Sequence, residues 1–179
     1  MHAFVLADPD CCIGCRACEI ACSLAHLPAG CDPGRAMEQG AGFAPRLTIV
    51  REGGLVVPVQ CRQCEDAPCA RVCPAGCITS DGRSVTIVEA ACTGCKACLA
   101  VCPVGTMNML PATVGPARLV AGKCDLCRGR PSDSPNPVGP ACLAVCPAGA
   151  LTLYEPAALA RLAADRRRLA ALVLPQPQG

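Results

Sequence analysis

Cysteine is the residue whose chemistry dominates this chain, and it occurs in four groups of four. Thiolates bind metals, form disulfides or act as nucleophiles, so a repeated group of thiols implies a repeated chemical purpose. Two of the groups have the spacing C-x2-C-x2-C-x3-C, and the other two contain a longer segment. In chain order the groups are Cys12, Cys15, Cys18 and Cys22; Cys61, Cys64, Cys69 and Cys73; Cys92, Cys95, Cys98 and Cys102; and Cys124, Cys127, Cys142 and Cys146.

Three kinds of site use cysteine this heavily, and the spacing favours one of them. A disulfide framework suits short secreted chains, whereas this chain has 179 residues and an odd count of 19 cysteines. Group four alone is compatible with structural zinc, but a C-x2-C-x2-C-x3-C run is too tight to surround one small ion. An iron–sulfur cubane is larger, so three closely spaced thiolates can wrap one of its faces. The spacing is that of two-cluster bacterial ferredoxins, and it predicts iron–sulfur sites.

The composition restricts the alternatives further. Only Phe4, Phe43 and Tyr154 are aromatic, while 18 prolines and 17 glycines predict many turns and short elements. The formal net charge of +2 argues against a nucleic-acid partner, which a basic patch would attract. The sequence contains no apolar run of 18 residues and no recognisable export signal. We therefore expect a cytoplasmic protein without a membrane span.

A short apolar segment ahead of each cysteine group is a candidate for a β-strand; these segments are 4–6, 55–57, 85–88 and 118–120. Ile78-Thr79 and the segment 85–88 flank a polar turn and predict a β-hairpin between groups two and three. Leu151-Thr152-Leu153 follows "CPAGA" as Ile78-Thr79 follows "CPAGC", but it has no neighbouring strand in the sequence. Phe4-Val5-Leu6 is the available partner. The first and last cysteine groups should therefore be brought together by pairing of the first and last strands.

This pairing predicts an α+β fold of tandem bacterial ferredoxin-like modules, one nested within the other, small and rich in loops. The outer module consists of residues 1–52 and 117–155, which contain cysteine groups one and four. The inner module, residues 53–116, contains groups two and three. Residues 156–179 form an appended C-terminal helix and tail, with a helical apolar stripe at Leu159, Leu162, Leu169 and Val173. Such a stripe can pack on its own domain or bind a neighbouring subunit.

Ferredoxin spacing also predicts which cysteines act together as ligands. In a two-cluster unit the first three cysteines of one group hold one cluster, and the last cysteine of that group holds the other cluster. Four ligand sets result, one for each of four [4Fe-4S] clusters. Set 1 is Cys12, Cys15, Cys18 and Cys146; set 2 is Cys124, Cys127, Cys142 and Cys22; set 3 is Cys61, Cys64, Cys69 and Cys102; and set 4 is Cys92, Cys95, Cys98 and Cys73.

The motifs carry a family resemblance. The segments "ADPDCCIGCRACEIAC", "VQCRQCEDAPCARVCP", "CTGCKACLAVCP" and "KCDLC" with "GPACLAVCP" resemble the electron-transfer subunits of the dimethyl sulfoxide reductase beta-subunit family. The resemblance runs from about residue 2 to the C-terminal helix, and it is nearest to the small soluble members of that family. One departure is that group one ends "CSLAH", without the proline that follows the other three groups.

The resemblance implies an electron-transfer subunit with no substrate chemistry of its own. Its clusters would relay electrons between a catalytic subunit and a second redox partner. The catalytic subunit would be a molybdenum- or tungsten-pterin formate or aldehyde oxidoreductase, a hydrogenase or a carbon monoxide dehydrogenase. Alternatives are a stand-alone multi-cluster ferredoxin and a redox-sensing iron–sulfur protein. An independent catalyst of the radical-SAM type is disfavoured, because the four-ligand sets leave no open iron coordination.

Three cysteines remain outside the four sets. Three residues separate Cys11 from Cys15, whereas the C-x2-C motif has two, so Cys12 is the ligand. Cys31 lies in a connection rich in glycine and proline. Cys77 occupies the repeat position held by Thr106 and Ala150, which favours a small packing residue beside a cluster.

Several polar residues also flank the ligands. Arg16, Arg62, Lys96 and Lys123 either raise the potentials of the clusters or serve only solubility. His26 is expected to pack or to contact a partner rather than to bind metal.

Overall fold

The computed structural model describes residues 1–28, 30–38, 43–113, 115–128 and 139–173, and these ranges contain short strands and helices. The strands are β1 (Phe4–Ala7), β2 (Leu47–Glu52), β3 (Leu55–Gln60), β4 (Ile78–Ser80), β5 (Val85–Ile87), β6 (Asn108–Pro111), β7 (Leu119–Gly122) and β8 (Leu151–Tyr154). The helices are α1 (Ala17–Ala25), α2 (Pro33–Glu38), α3 (Pro68–Arg71), α4 (Ala97–Val101), α5 (Ala141–Ala144) and α6 (Pro156–Val173). A 3-10 turn, Glu89–Ala91, precedes the third cysteine group.

The strands pair in twos, always antiparallel: β1 with β8, β2 with β3, β4 with β5 and β6 with β7. The predicted pairing of the first and last strands is confirmed, with Phe4 opposite Tyr154 and Ala7 opposite Leu151. The rings of Phe4 and Tyr154 stack with their centroids 5.5 Å apart. The predicted hairpin between groups two and three is also confirmed as β4–β5. Group one therefore lies next to group four, although more than a hundred residues separate their first cysteines.

Three elements are absent from our sequence prediction: the strands β2 and β6 and the helix α2. β2 forms a hairpin with β3, in which Glu52 lies opposite Leu55 and the two-residue turn is Gly53-Gly54. Both glycines have positive φ, 53° and 83°, which side chains rarely tolerate and which two-residue hairpin turns require. The Gly-Gly pair between two β-prone runs is thus a signal that predicts this hairpin.

Two hydrophobic cores hold the elements together, and cysteines belong to both. The first core contains Ala3, Val5, Cys18, Cys22, Leu47, Ile49, Leu126, Cys142 and Leu151. The second contains Ala67, Cys77, Ile78, Val85, Cys92, Cys98, Met107, Val120 and Ala121. Helix α1 packs against α5, and α3 packs against α4. Three of the nine buried residues in each core are cysteines, so thiols make up a large share of each interior.

The C-terminal helix differs from the rest, because its side chains from Arg161 to Leu172 are exposed. Leu162 and Leu169, from the predicted apolar stripe, are 40% and 63% exposed. The side chain of Val173 and residues 174–179 lie outside the described part of the chain. Among the described residues, we find no helix with the length and apolar character needed to cross a membrane.

Candidate metal centres

The same backbone turn recurs in all four cysteine groups. The residue two positions after the first cysteine has positive φ in every group: 66° at Gly14, 53° at Gln63, 70° at Gly94 and 60° at Leu126. Such a conformation costs a residue with a side chain about 1–2 kcal/mol, so the surrounding structure holds Gln63 and Leu126 in it. In groups one, two and three, the first two cysteines on either side of this turn line the same cavity.

A helix begins one residue before the third cysteine of every group. Cys18, Cys69, Cys98 and Cys142 are the second residues of α1, α3, α4 and α5. In group one the fourth cysteine lies four positions later in the same helix, about 6 Å further along its axis, whereas in the other three groups it follows the end of the helix. The third and fourth cysteines of one group are therefore separated along the chain direction, and they can reach different sites.

Three of the four predicted ligand sets line separate cavities. The lining cysteines are Cys12, Cys15, Cys18 and Cys146 in the first cavity; Cys61, Cys64, Cys69 and Cys102 in the second; and Cys73, Cys92, Cys95 and Cys98, with Cys77, in the third. The space in the three cavities, with their openings to solvent included, is similar, about 340, 370 and 300 Å3. In each case the structure brings three cysteines of one group together with the last cysteine of another.

The cysteines of set 2 lie where α1 packs against α5. Burial, together with the neighbouring thiols of Cys22 and Cys127, raises the pKa of Cys142 to about 12. Burial also raises the pKa of Cys124, and the thiols of Cys22 and Cys142 act in the same direction. Cys22 and Cys142 lie in the first core and Cys124 packs against it, together with Cys18 and Cys146 of set 1, so sets 1 and 2 are neighbours.

The donor sets fit a cubane of iron and sulfide. Thiols in a poorly solvated site ionise with difficulty, because burial and a neighbouring negative charge both disfavour the thiolate. Accordingly, burial raises the pKa of Cys18 to about 11, and it also raises the pKa of Cys64, Cys69 and Cys98. A bound metal centre supplies the missing positive charge and deprotonates coordinating thiols outright. Four cysteines are also the complete ligand set of a [4Fe-4S] cluster.

Backbone amides donate hydrogen bonds to ligand sulfurs in every set. The amide of Ala150 donates to Cys146 Sγ (3.3 Å), and that of Gln63 donates to Cys61 Sγ (3.4 Å). The same contact joins Arg46 to Cys22 (3.2 Å), Ala141 to Cys127 (3.4 Å) and Ala121 to Cys92 (3.4 Å). Such bonds stabilise the thiolate and are one of the means by which a protein tunes a cluster potential.

Next to Cys22 lies a group of charged residues that we did not predict as a unit. His26 donates through Nδ1 to the carbonyl of Cys22 (2.6 Å) and through Nε2 to Asp125 Oδ1 (3.0 Å). Burial opposes the protonation of His26, but the hydrogen bonds with Asp125 and Cys22 outweigh it and raise the pKa to about 9. Arg46 also donates to Asp125, through Nη1 (2.5 Å). The contact between Arg46 and Asp125 attaches the segment before β2 to the loop of cysteine group four.

The surplus cysteines and flanking cations have distinct environments. Cys11 and Cys31 are exposed, whereas Cys77 is buried with its sulfur 3.3 Å from that of Cys73. Burial and the hydrogen bond with Cys73 raise the pKa of Cys77 to about 12. Among the flanking cations, Lys123 is 3% exposed, while Arg16, Arg62 and Lys96 are exposed.

Comparison with protein families identifies the type of site. A family model described as "4Fe-4S dicluster domain" matches residues 53–155, which include cysteine groups two, three and four. The chain belongs to this family. As a 4Fe-4S dicluster protein, it is an iron–sulfur protein of ferredoxin-like type, consistent with the cysteine-lined cavities described above.

The relatives place this dicluster protein in electron transport. It is 37% identical over 183 residues to "Electron transport protein HydN" of Escherichia coli (strain K12), covering 97% of this chain and 99% of HydN. It is 32% identical over 203 residues to "Hydrogenase-4 component A" of the same strain, covering 96% of this chain and 91% of that protein. AegA, also of that strain, is 41% identical over 169 residues, which are 93% of this chain but only 24% of AegA. The chain is an iron–sulfur electron-transfer protein.

The cavity of set 4 is lined by five cysteines, one more than a cluster needs. Two substitutions can show whether Cys77 is a ligand or a packing residue. Cys77→Ala introduces the residue found naturally at the repeat position 150, so the iron content should equal that of the unchanged chain. Cys95→Ala, in the same cavity, removes a predicted ligand and should cost about one to four iron atoms. Iron analysis of both variants after anaerobic purification is the measurement. Equal losses from the two variants would identify Cys77 as a ligand.

Proposed function

We propose that this chain is an electron-transfer subunit that relays electrons through four [4Fe-4S] clusters between a catalytic oxidoreductase subunit and a second redox partner. The observation that carries the proposal is that three of the predicted ligand sets line separate cavities, while Cys22 and Cys142 of the fourth set share one core, in a dicluster-family chain. When bound, each cluster supplies a site that takes up and releases one electron.

Within the proposal, each set binds one cluster through its four thiolates. The last cysteine of a group crosses to the neighbouring set, so Cys22 joins set 2 and Cys146 joins set 1. Cys73 and Cys102 exchange in the same way between sets 3 and 4. The amide donors to the sulfurs, such as those of Arg46 and Ala150, stabilise the bound thiolates. The apolar core residues around the cysteines limit the access of water.

We also propose that the two pairs of sets form nested modules. The outer module comprises residues 1–52 and 117–155, and the inner module comprises residues 53–116. Pairing of β1 with β8 and packing of α1 against α5 support the outer module. The β4–β5 hairpin and packing of α3 against α4 support the inner one.

The exposure of the ligand cysteines favours one order of the four sets along the proposed electron-transfer path. Cys15 of set 1 and Cys95 of set 4 are exposed, whereas all cysteines of sets 2 and 3 are buried or half-buried. The side-chain amide of Gln63, whose backbone amide contacts Cys61 of set 3, donates to the carbonyl of Cys124 in set 2 (2.7 Å). Sets 2 and 3 therefore form the middle of the proposed chain, and sets 1 and 4 face the two redox partners.

The named relatives and the charge of the cluster-loaded protein both indicate what kind of partner the chain would have. HydN is named an electron transport protein, and hydrogenase-4 component A is named as part of a hydrogenase. These names support a role in transferring electrons for a larger redox enzyme. We propose a hydrogenase, a carbon monoxide dehydrogenase or a molybdenum- or tungsten-pterin oxidoreductase acting on formate or an aldehyde. Four clusters of about −2 each, thiolates included, would change the formal +2 to roughly −6. Such a charge is complementary to a basic docking patch.

Iron and sulfide content tests the four-cluster proposal. Protein purified without oxygen should contain about 16 iron and 16 acid-labile sulfide per chain, and a reductive titration should consume about four electrons. The controls are zinc analysis of the same sample and the visible spectrum, since zinc sites are colourless. Stoichiometric zinc, or about 8 iron per chain, would contradict the proposal.

The exposed stripe on α6 leads to a prediction about complex formation. Removal of residues 156–179 should leave the iron content unchanged, because α6 from Arg161 onward is exposed, but it should weaken co-purification with the catalytic subunit. Leu169→Gln should weaken capture several-fold, while Arg167→Gln on another face of the helix serves as the matched control. Iron analysis beside pull-down yield is the measurement. Undiminished capture by the truncated chain would exclude a role for α6 in the interface.

A further inference from the structure

Lys123 is buried in an unusual way for a lysine. Its exposed fraction is 3%, whereas Lys96, the only other lysine of the chain, is exposed. Lysine is almost never fully buried unless its charge is compensated, because removal of an ammonium from water is costly. The position of Lys123 therefore requires compensation in its surroundings.

Three oxygen atoms accept hydrogen bonds from Lys123. The Nζ atom donates to Gln63 Oε1 (3.2 Å), to the carbonyl of Cys124 (3.1 Å) and to the carbonyl of Val85. An ammonium group has three N–H donors and a neutral amine has only two, so this arrangement suits the charged form. All three acceptors are neutral groups. They satisfy the donors of the ammonium but leave its positive charge in the interior.

The charge lies between two of the ligand sets. Lys123 lines the cavity of set 3, and it immediately precedes Cys124 of set 2. Its acceptor Gln63 joins the same two loops, with the backbone amide on Cys61 Sγ and the side-chain amide on the carbonyl of Cys124. Because Lys123 lines the same cavity as the four cysteines of set 3, its ammonium is placed to stabilise negative charge on their sulfurs.

We infer that Lys123 is a positioning residue for electron transfer, which holds a fixed positive charge between sets 2 and 3 and raises the reduction potentials of the clusters bound there. The inference rests on the proposed function, because it requires clusters in both sets. Reduction adds one negative charge to a cluster, and a nearby cation stabilises the reduced form more than the oxidised form. In the interior this interaction is weakly screened, whereas solvent screens the exposed Arg16, Arg62 and Lys96.

The experiment uses the full chain with its clusters and compares Lys123→Met with Lys96→Met. Both changes remove one lysine charge, but only the first removes a buried one. In a potentiometric titration followed by electron paramagnetic resonance, Lys123→Met should make one or two of the four clusters harder to reduce. At a fixed potential their ratio of reduced to oxidised form should fall at least about tenfold, which is 59 mV for one electron. Lys96→Met should change any ratio by less than about twofold.

The iron content of the same samples separates the possible outcomes. Lys123→Arg keeps the charge and should titrate like the wild type; if it shifts as Lys123→Met does, charge is not the cause and the inference fails. Full iron with unchanged potentials in Lys123→Met also overturns the inference but leaves the proposed function standing. Wild-type iron well below about 16 overturns the proposed function itself. If Lys123→Met loses iron, Lys123→Gln replaces it, and loss from both neutral variants assigns Lys123 a structural role instead.

Discussion

The constraint on which this structure depends is the gathering of many thiols, several of them buried, into a few shared sites. A thiolate in a poorly solvated interior is unstable without positive charge, and burial raises the pKa of Cys18, Cys124 and Cys142 accordingly. A shared metal centre resolves this conflict, since it replaces four difficult ionisations by four metal–sulfur bonds. Each set draws on two cysteine groups, so binding of metal would also fasten distant parts of the chain to one another.

The small size of the elements follows from that constraint. The helices that carry the third cysteines of groups two, three and four have only four or five residues, and every sheet in the described part of the chain has two strands. Isolated elements this short are not stable in water. They persist here because their inner faces pack against cysteines that belong to the two cores. The scarcity of aromatic residues is consistent with an interior that inorganic cores would fill.

Much of the fold could be predicted from the sequence, because the cysteine spacing is a strong local signal. The repeats located the β4–β5 hairpin, and the unpartnered segment 151–153 predicted its pairing with β1. The β2–β3 hairpin was not predicted, although Gly53-Gly54 indicates it, because β2 stands outside the repeated pattern of strand and cysteine group. The hydrogen bonds around the ligand cysteines could not be predicted from the sequence. Nothing in the local sequence shows that Arg46 contacts Asp125, or that Gln63 joins two cysteine loops, because those contacts form only in the folded chain.

The position of iron in the folded protein tests the central claim most directly. Anomalous scattering measured at the iron absorption edge, from crystals grown without oxygen, locates each cluster independently of any assumption about ligands. The cross-ligated arrangement predicts four separate iron clusters, with Cys22 bound to the cluster of group four and Cys146 bound to the cluster of group one. Iron in only two of the four sets would contradict it, and so would Cys22 or Cys146 bound to the cluster of its own group.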